Sequence, residues 1–402
     1  MKVVQINGGS KGSTGKIMFD ISKMVEQNGS EVMCAVPITT TNRDDKSGEE
    51  VYRIGSFNSR RINVLLSRIT GFNGAFAWFS TLKLLKKITE YSPDVIHLHN
   101  LHDSYVNLPM LFHYIKKKSI PVVWTLHDCW AFTGQCPYFT MVKCDKWKYG
   151  CNCCPQYKKY PKSVFDNTKV MWRLKRKWFT GINDITLVTP SEWLADQTRM
   201  SFLNKYDIQV INNGVDLSIF YPRNRKYTGI DTSKTVILGV AFGWEKRKGL
   251  DVFLDLANQL PEDKYQIVLV GTDNEVDKIL PRNIISIHRT QNQDELAEIY
   301  SSADVLLNPS MEETFGMVTA EALACGIPVI TSNQTAVPEV ADDTCGIVLN
   351  EFNLHTVLDA LDQVQKFNID APQRFAKRYD KNLVFKKYLD LYESMYGKGL
   401  KM

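Results

Sequence analysis

Short apolar runs alternate with amphipathic stretches along most of the chain, and each run ends on polar or small residues. Residues 2–6 (KVVQI) predict a strand, 15–27 a helix with apolar positions at helical spacing, and 31–36 (EVMCAV) a second strand. The runs 94–100 (DVIHLHN) and 121–128 (PVVWTLHD) continue the series. Buried parallel strands look like this, and their polar ends mark the carboxyl edge of the sheet, where ligand groups are expected. After LVTPSEWLADQ (187–197) and QVINNGVD (209–216) the pattern restarts, with strands predicted over 235–242, 266–271, 284–288, 304–310 and 328–332 and helices over 249–259, 293–302 and 316–325. A last helical stretch, 376–395, has no strand after it. Two sets of strand–helix units predict an α/β chain of two Rossmann-like domains facing across a cleft, 1–213 and 214–375, with 376–402 as a helix packing back across the interface.

Length agrees, since 402 residues exceed what one hydrophobic core usually serves. With 44% hydrophobic and 23% charged residues the composition is that of a packed protein and excludes a largely disordered one. There is no uncharged apolar window of about 18 residues, and the opening MKVVQINGG reads as a strand followed by glycines, so a cytoplasmic location is expected.

Charge is distributed unevenly. Residues 1–200 hold 28 Lys and Arg against 16 Asp and Glu, a balance of +12, whereas the remainder holds 21 against 28, a balance of −7. The N-terminal half is therefore expected to meet something anionic, or to carry a merely solvated basic face. Within it, residues 57–88 are rich in aromatic and aliphatic side chains, and their charges are all basic: Arg60, Arg61, Arg68, Lys83, Lys86 and Lys87. Such a tract either lies on an anionic membrane surface, peripheral on the inner face of the cytoplasmic membrane, or packs as an ordinary helix with a basic edge.

Six of the nine cysteines fall between 129 and 154. In a reducing compartment a cluster of this kind favours a metal over disulfides. Cys136, Cys144, Cys151 and Cys154 supply four thiolates, enough for a closed tetrahedral structural zinc with no open position for catalysis; buried free thiols are the alternative.

The stretch NPSMEETFGMVTAEALACGIPVI (308–330) combines a strand end, a polar loop, a helix and a new strand. Gly316 near the helix start allows close approach of a ligand, and the free amides with the helix dipole suit a diphosphate without a metal. Glu321 lies in the helix, where a carboxylate can accept from a ribose diol, and Glu313 lies eight residues before it. NGGSKGSTGK (7–16) mimics a Walker A loop, but five residues separate Gly9 from Gly15 and Ile17 stands where a hydroxyl should meet magnesium, which excludes an ATPase of that type.

The stretch 308–330, together with GVAFGWEKRKGLDVFL, VINNGVDLSIFYP, VTPSEWLA, DVIHLHN, WTLHD and the N-terminal glycine loop, resembles the retaining GT-B glycosyltransferases of glycosyltransferase family 4 over nearly the whole chain. WTLHDCWAFTGQCPYF and the cysteines after it resemble bacterial members that assemble capsule, O-antigen and exopolysaccharide. The resemblance implies a sugar moved from a nucleoside-diphosphate sugar donor to a saccharide acceptor linked to polyprenyl diphosphate, with no cofactor for catalysis. It implies that Glu313 contacts donor-sugar hydroxyls, Glu321 the ribose, and the backbone of Gly316, Met317 and Val318 the diphosphate. Lys248 would neutralise the leaving group; the family arginine six residues earlier is Phe242 here, and Arg247 or Lys246 would supply the missing charge. Gly12, Ser13 and Gly15 would close over the donor, and His127 would touch the sugar near its reacting carbon. Two further histidines, His97 and His99, are expected on opposite faces of their strand, and His102 with Asp103 on the loop beyond could meet the acceptor.

Other activities fit less of the chain. A nucleotide-sugar epimerase on the same fold would need no acceptor. A nucleic-acid-binding zinc protein leaves the donor motif unexplained, its cysteine spacing matches no finger or knuckle, and no nucleic acid is expected as partner. The sequence contains no Asp-x-Asp motif for a bridging divalent ion.

Overall fold

Strands with apolar residues on both faces have to be covered on both sides, which the intervening helices do here. The computed structural model describes residues 1–43, 51–224 and 227–399. It divides into two units, one of Met1–Asn212 with Phe385–Met402 and one of Asn213–Val384.

The first unit contains β1 (Lys2–Ile6), α1 (Gly12–Gln27), β2 (Glu31–Pro37), β3 (Val51–Ile54), α2 (Phe57–Thr70), α3 (Trp78–Tyr91), β4 (Val95–Leu98), α4 (Leu108–Lys118), β5 (Val122–Thr125), α5 (Thr168–Phe179), β6 (Ile185–Thr189), α6 (Glu192–Arg199) and β7 (Asp207–Val210). Its seven strands are parallel in the order β3-β2-β1-β4-β5-β6-β7. The second unit contains β8 (Thr235–Val240), α7 (Leu250–Ala257), β9 (Tyr265–Val270), α8 (Asn274–Asp277), β10 (Ile284–Ile287), α9 (Gln293–Ser301), β11 (Val305–Asn308), α10 (Met317–Ala324), β12 (Val329–Ser332), β13 (Gly346–Leu349), α11 (Leu354–Val364) and α12 (Ala371–Ala376). Its six parallel strands run β10-β9-β8-β11-β12-β13. A final helix, α13 (Lys381–Gly399), begins in the second unit and ends in the first.

Both sheets reverse their strand order once, between β1 and β4 and between β8 and β11. At such a switch point the loops leaving the two central strands diverge to opposite faces and open a crevice at the carboxyl ends, the usual ligand position of a doubly wound sheet. The tract 57–88, read as one amphipathic segment, forms two helices, because Gly71 ends α2 in the left-handed conformation at φ +74°. The helix expected over 376–395 is likewise interrupted, and α13 starts after Asp380. Among the described residues, no helix is long and apolar enough to cross a membrane.

Candidate functional site

In the second unit the two loops leaving the switch-point strands meet. Beyond β8 the chain makes a short 3-10 turn, Lys246–Lys248, and beyond β11 it runs through Glu312 and Glu313 to α10. The Lys248 ammonium forms an ion pair with Oε1 of Glu313, both side chains being largely buried. Arg247 braces the same junction: its Nε donates to Glu245 at 2.9 Å, its Nη1 to the Glu312 carbonyl at 3.2 Å, and its own carbonyl accepts from Met311 N–H at 2.9 Å. Phe242, where the family arginine would stand, is 99% exposed. The backbone N–H of Glu313 donates to Thr335 Oγ1 at 2.9 Å, which fixes the loop against β12.

Gly316 caps α10 at φ +105°, a conformation that disfavours side chains. No side chain caps this helix, and the amides of Met317 and Val318 belong to the first turn, which has no intrahelical acceptors. Glu321, one turn on, is buried and accepts from the Tyr300 hydroxyl at 3.1 Å. Asn308 donates to Thr319 at 3.0 Å and holds α10 to β11. Lys248 and Glu313 are thus brought together, with Arg247 alongside, and Gly316, Met317, Val318 and Glu321 occupy the following two turns. Tyr300 and Thr335 escape the sequence reading because each lies outside the contiguous motif, whereas Asn308 is its first residue and the pattern alone gives it no role.

The first unit places its residues on the loops after β1, β4 and β5. Asn7 holds the glycine loop through Gly8 N–H (2.8 Å) and the Gly9 carbonyl (3.0 Å). A Cβ on Gly15 would lie 2.5 Å from the Ser10 carbonyl carbon, so only glycine lets α1 fold against this loop. Gly12 and Ser13 form the first turn of α1, whose N-cap Lys11 makes no side-chain cap bond.

His127 follows β5. Its Nε2 lies 3.1 Å from His99 Nδ1, and His99 Nε2 lies 2.8 Å from Gln5 Oε1, while the Gln5 amide nitrogen donates to Ser22 and the Met18 carbonyl. The Gln5 oxygen must accept, so His99 carries its proton on Nε2 and accepts from His127. Burial, partly offset by Asp128, lowers the His127 pKa to about 4, so the ring is neutral near pH 7. The expectation that His97 and His99 face opposite ways is overturned: residues two apart share a strand face, and their ring centroids are 3.9 Å apart. His97 is buried against Tyr392 of α13 (2.5 Å) and Thr125 (2.8 Å).

Beside these rings lies a charged network that sequence reading found only in part. His102 Nε2 is 3.2 Å from Asp128 Oδ2, and the Tyr160 hydroxyl is 2.8 Å from His102 Nδ1 and donates to Asp103 at 2.6 Å. Arg60 approaches Asp103 at 3.8 Å. Burial alone would depress the His102 pKa, but its bonds to Asp103 and Asp128 outweigh burial and lift it to about 10. The repeated His-Asp at 102–103 and 127–128, after adjacent strands, was the available signal.

The four expected zinc ligands lie in one neighbourhood. Cys136 and Cys154 share a hydrogen bond, which holds the Cys154 thiol near 7, and Cys151 feels both Cys144 and Cys154 while accepting from Gly134 N–H at 3.1 Å. Among the described residues, no three His, Cys, Asp or Glu side chains are arranged to hold a metal ion.

Comparison with known proteins places these features in a family. A family model described as Glycosyltransferase Family 4 matches residues 15–219, about half the chain, and one described as Glycosyl transferases group 1 matches residues 234–366. The chain is 24% identical over 282 residues to the putative colanic acid biosynthesis glycosyl transferase WcaC of Escherichia coli (strain K12), covering 67% of each. It is 25% identical over 325 residues to an uncharacterized 41.2 kDa protein in the cps region of Klebsiella pneumoniae, covering 78% of this chain and 82% of that one. Its fold is like that of sucrose-phosphate synthase from Thermosynechococcus elongatus (TM-score 0.72, 16% identity, 99% of both chains). It is also like that of Anabaena HepE in complex with UDP and glucose (TM-score 0.64, 15% identity, 98% and 99%). Two parallel Rossmann-like sheets in the GT-B manner, a match over half the chain and a second match over most of its C-terminal unit lead to one assignment. The chain belongs to glycosyltransferase family 4.

Proposed function

We propose that this glycosyltransferase is a retaining enzyme that moves a sugar from a nucleoside-diphosphate sugar to a saccharide carried on polyprenyl diphosphate during assembly of a bacterial surface polysaccharide. The observation that carries the donor reading is the Lys248–Glu313 pair at the β8/β11 switch point, on the loops that precede α7 and α10. The colanic acid and cps-region relatives support the pathway class, and a neighbour solved with UDP and glucose supports the donor class.

In this reading the diphosphate is held by the amides of Met317 and Val318, by the Lys248 ammonium and by Arg247. Glu321 accepts from the ribose hydroxyls and Glu313 from the sugar hydroxyls. The bond from the anomeric carbon to the diphosphate oxygen breaks with its electron pair staying on phosphate. The acceptor hydroxyl oxygen bonds to the same face of that carbon, and its proton passes to the departing phosphate oxygen. Gly12, Ser13, Gly15 and the neutral His127 contribute the donor contacts that the family resemblance implies. Catalysis needs no metal. A structural zinc on Cys136, Cys144, Cys151 and Cys154, four soft donors of the right kind and number, would stabilise the loop they share.

A panel of UDP, GDP and CMP sugars, followed by thermal shift with excess chelator, tests the donor reading: one nucleotide should raise the transition. Transfer to a lipid-linked acceptor with retained anomeric configuration, read by NMR, should follow with that donor. Glu313→Ala and Glu321→Ala should each cut turnover at least about a hundredfold with the fold intact. Conversion of the donor sugar without any acceptor would favour an epimerase instead.

A further inference from the structure

Helix α2 carries six apolar residues among its fourteen, yet it is barely buried. Of its fourteen residues, all described, Ser67 is the one that is buried. Ile62, Leu65 and Ile69, at spacings of three and four, stand exposed along one face with Arg61 and Arg68 beside them. Helix α3 repeats the arrangement. Trp78, Phe79 and Leu82 are exposed in its first turns, Phe79 at 82%, and exposed Lys83, Lys86 and Lys87 follow.

The two helices belong to one surface. A Cβ on Gly55, just before α2, would lie 2.5 Å from Ser80 Oγ of α3 and 3.1 Å from Ser59 Oγ of α2, so the helix starts adjoin. At the other end of α2, Val164 N–H donates to the Arg68 carbonyl at 2.7 Å, which adds the exposed Val164 and Phe165 to the band. Eight large apolar side chains exposed on adjoining elements are more than the single scattered exposures usual on a protein that meets only water.

Charge decides what covers it. The two helices carry six cations against one acid, Glu90, which pairs with Lys86 at 3.8 Å, so the complement is polyanionic, and the exposed rings and aliphatic chains require hydrocarbon next to that charge. A bilayer rich in acidic phospholipid supplies both in one plane. We propose that the exposed faces of α2 and α3 are a docking surface for anionic phospholipid bilayers. Arg60 of α2 reaches Asp103 in the His102 network, so the docked helix is tied to the loop after β4. The surface stands on this charge and exposure alone, and rests on the lipid-linked acceptor reading only for its purpose.

Sedimentation of the full chain with sucrose-loaded vesicles tests the proposal, comparing phosphatidylcholine alone with phosphatidylcholine containing about 30% phosphatidylglycerol. Binding to the acidic vesicles should exceed that to neutral ones at least about tenfold and should fall with added salt. The triple variant Lys83→Gln, Lys86→Gln, Lys87→Gln should lose roughly a hundredfold in partitioning. Trp78→Ser with Phe79→Ser should also bind weakly, both variants keeping the wild-type thermal transition because the changed side chains are exposed. Glu313→Gln should bind vesicles normally, which separates failure of this surface from failure of the donor site. Equal binding to neutral and acidic vesicles, no binding to either, or self-association relieved by the Trp78 and Phe79 changes would overturn the proposal, the last by making a second copy of this chain the occupant.

Discussion

Lys248 and Glu313 neutralise each other as an ion pair, and in the proposed complex each has another partner, the diphosphate and the sugar. Donor binding therefore has to exchange one ion pair for two sets of contacts. This gives an unusual expectation for Glu313→Gln: turnover should fall about a hundredfold, as when a positioned transition-state contact is lost, while free nucleoside diphosphate binds as well as before or more tightly, because Lys248 is no longer held by a carboxylate. Calorimetric titration with the diphosphate reads this directly, and weaker binding by the variant would contradict the exchange. Glu313, Gly316 and Glu321 stand in order because the loop and α10 are contiguous in sequence, whereas Lys248 lies 65 residues earlier and only the family resemblance links it to them. Tyr300 and Thr335, which hold Glu321 and the Glu313 backbone, arrive from α9 and from the loop after β12, and nothing local in sequence links them to the motif.

At the scale of elements, the loop from Cys129 to Asn167 is built on one buried cation. Lys175 of α5 is fully buried, donates to the Trp130 carbonyl at 2.6 Å and the Thr133 carbonyl at 3.1 Å, and lies 3.4 Å from the Trp130 ring centroid. The cysteines lie just beyond that anchor. Their donor set is that of zinc, while their arrangement here is that of free thiols, so metal analysis of untagged protein discriminates. About one zinc per chain, and a transition lowered by chelator and by Cys151→Ser, are expected; zinc-free protein with an unaltered transition would remove the metal. Strand and helix types were legible wherever apolar runs were long, as in β8, β9 and α1. Two strands were not: β3 and β13 are no shorter than β4, β5, β11 or β12 but are partly exposed, and their place in the sheet comes from pairing with β2 and β12 rather than from their own pattern. The split of 57–88 into two helices turns on Gly71, whose left-handed backbone was not visible in a run read for its side chains.

For the whole molecule, the buried histidines set how stability changes with pH, and they act in opposite directions. Burial lowers His127 to about 4 and, with help from neighbouring ring charges, holds His97 and His99 well below the usual imidazole value, whereas each titrates near 6.5 when unfolded. Between pH 6.5 and 4 the unfolded chain therefore binds more protons, and stability must fall as pH falls through that window, by about 3 kcal/mol from His127 alone. His102 does the reverse. Its pKa is raised to about 10, so the stability it contributes is fully present below 6.5 and is lost as pH rises toward 10. Lys175 opposes that loss, since burial lowers its pKa from 10.5 to about 7 and the unfolded chain binds the extra proton between those values, which makes stability rise with pH there. The wild-type protein should thus be acid-labile with a shallow alkaline limb, in which two large contributions nearly cancel. Urea unfolding between pH 5 and 10, followed by the fluorescence of the first unit's buried tryptophans, separates them. Lys175→Met should expose a steep alkaline decline from His102, and His102→Gln should turn the limb upward. Identical alkaline slopes in the two variants would show that neither group carries the charge assigned to it. The acid limb should survive in both, because it belongs to the neutral histidines that join β1, β4 and β5 to α13.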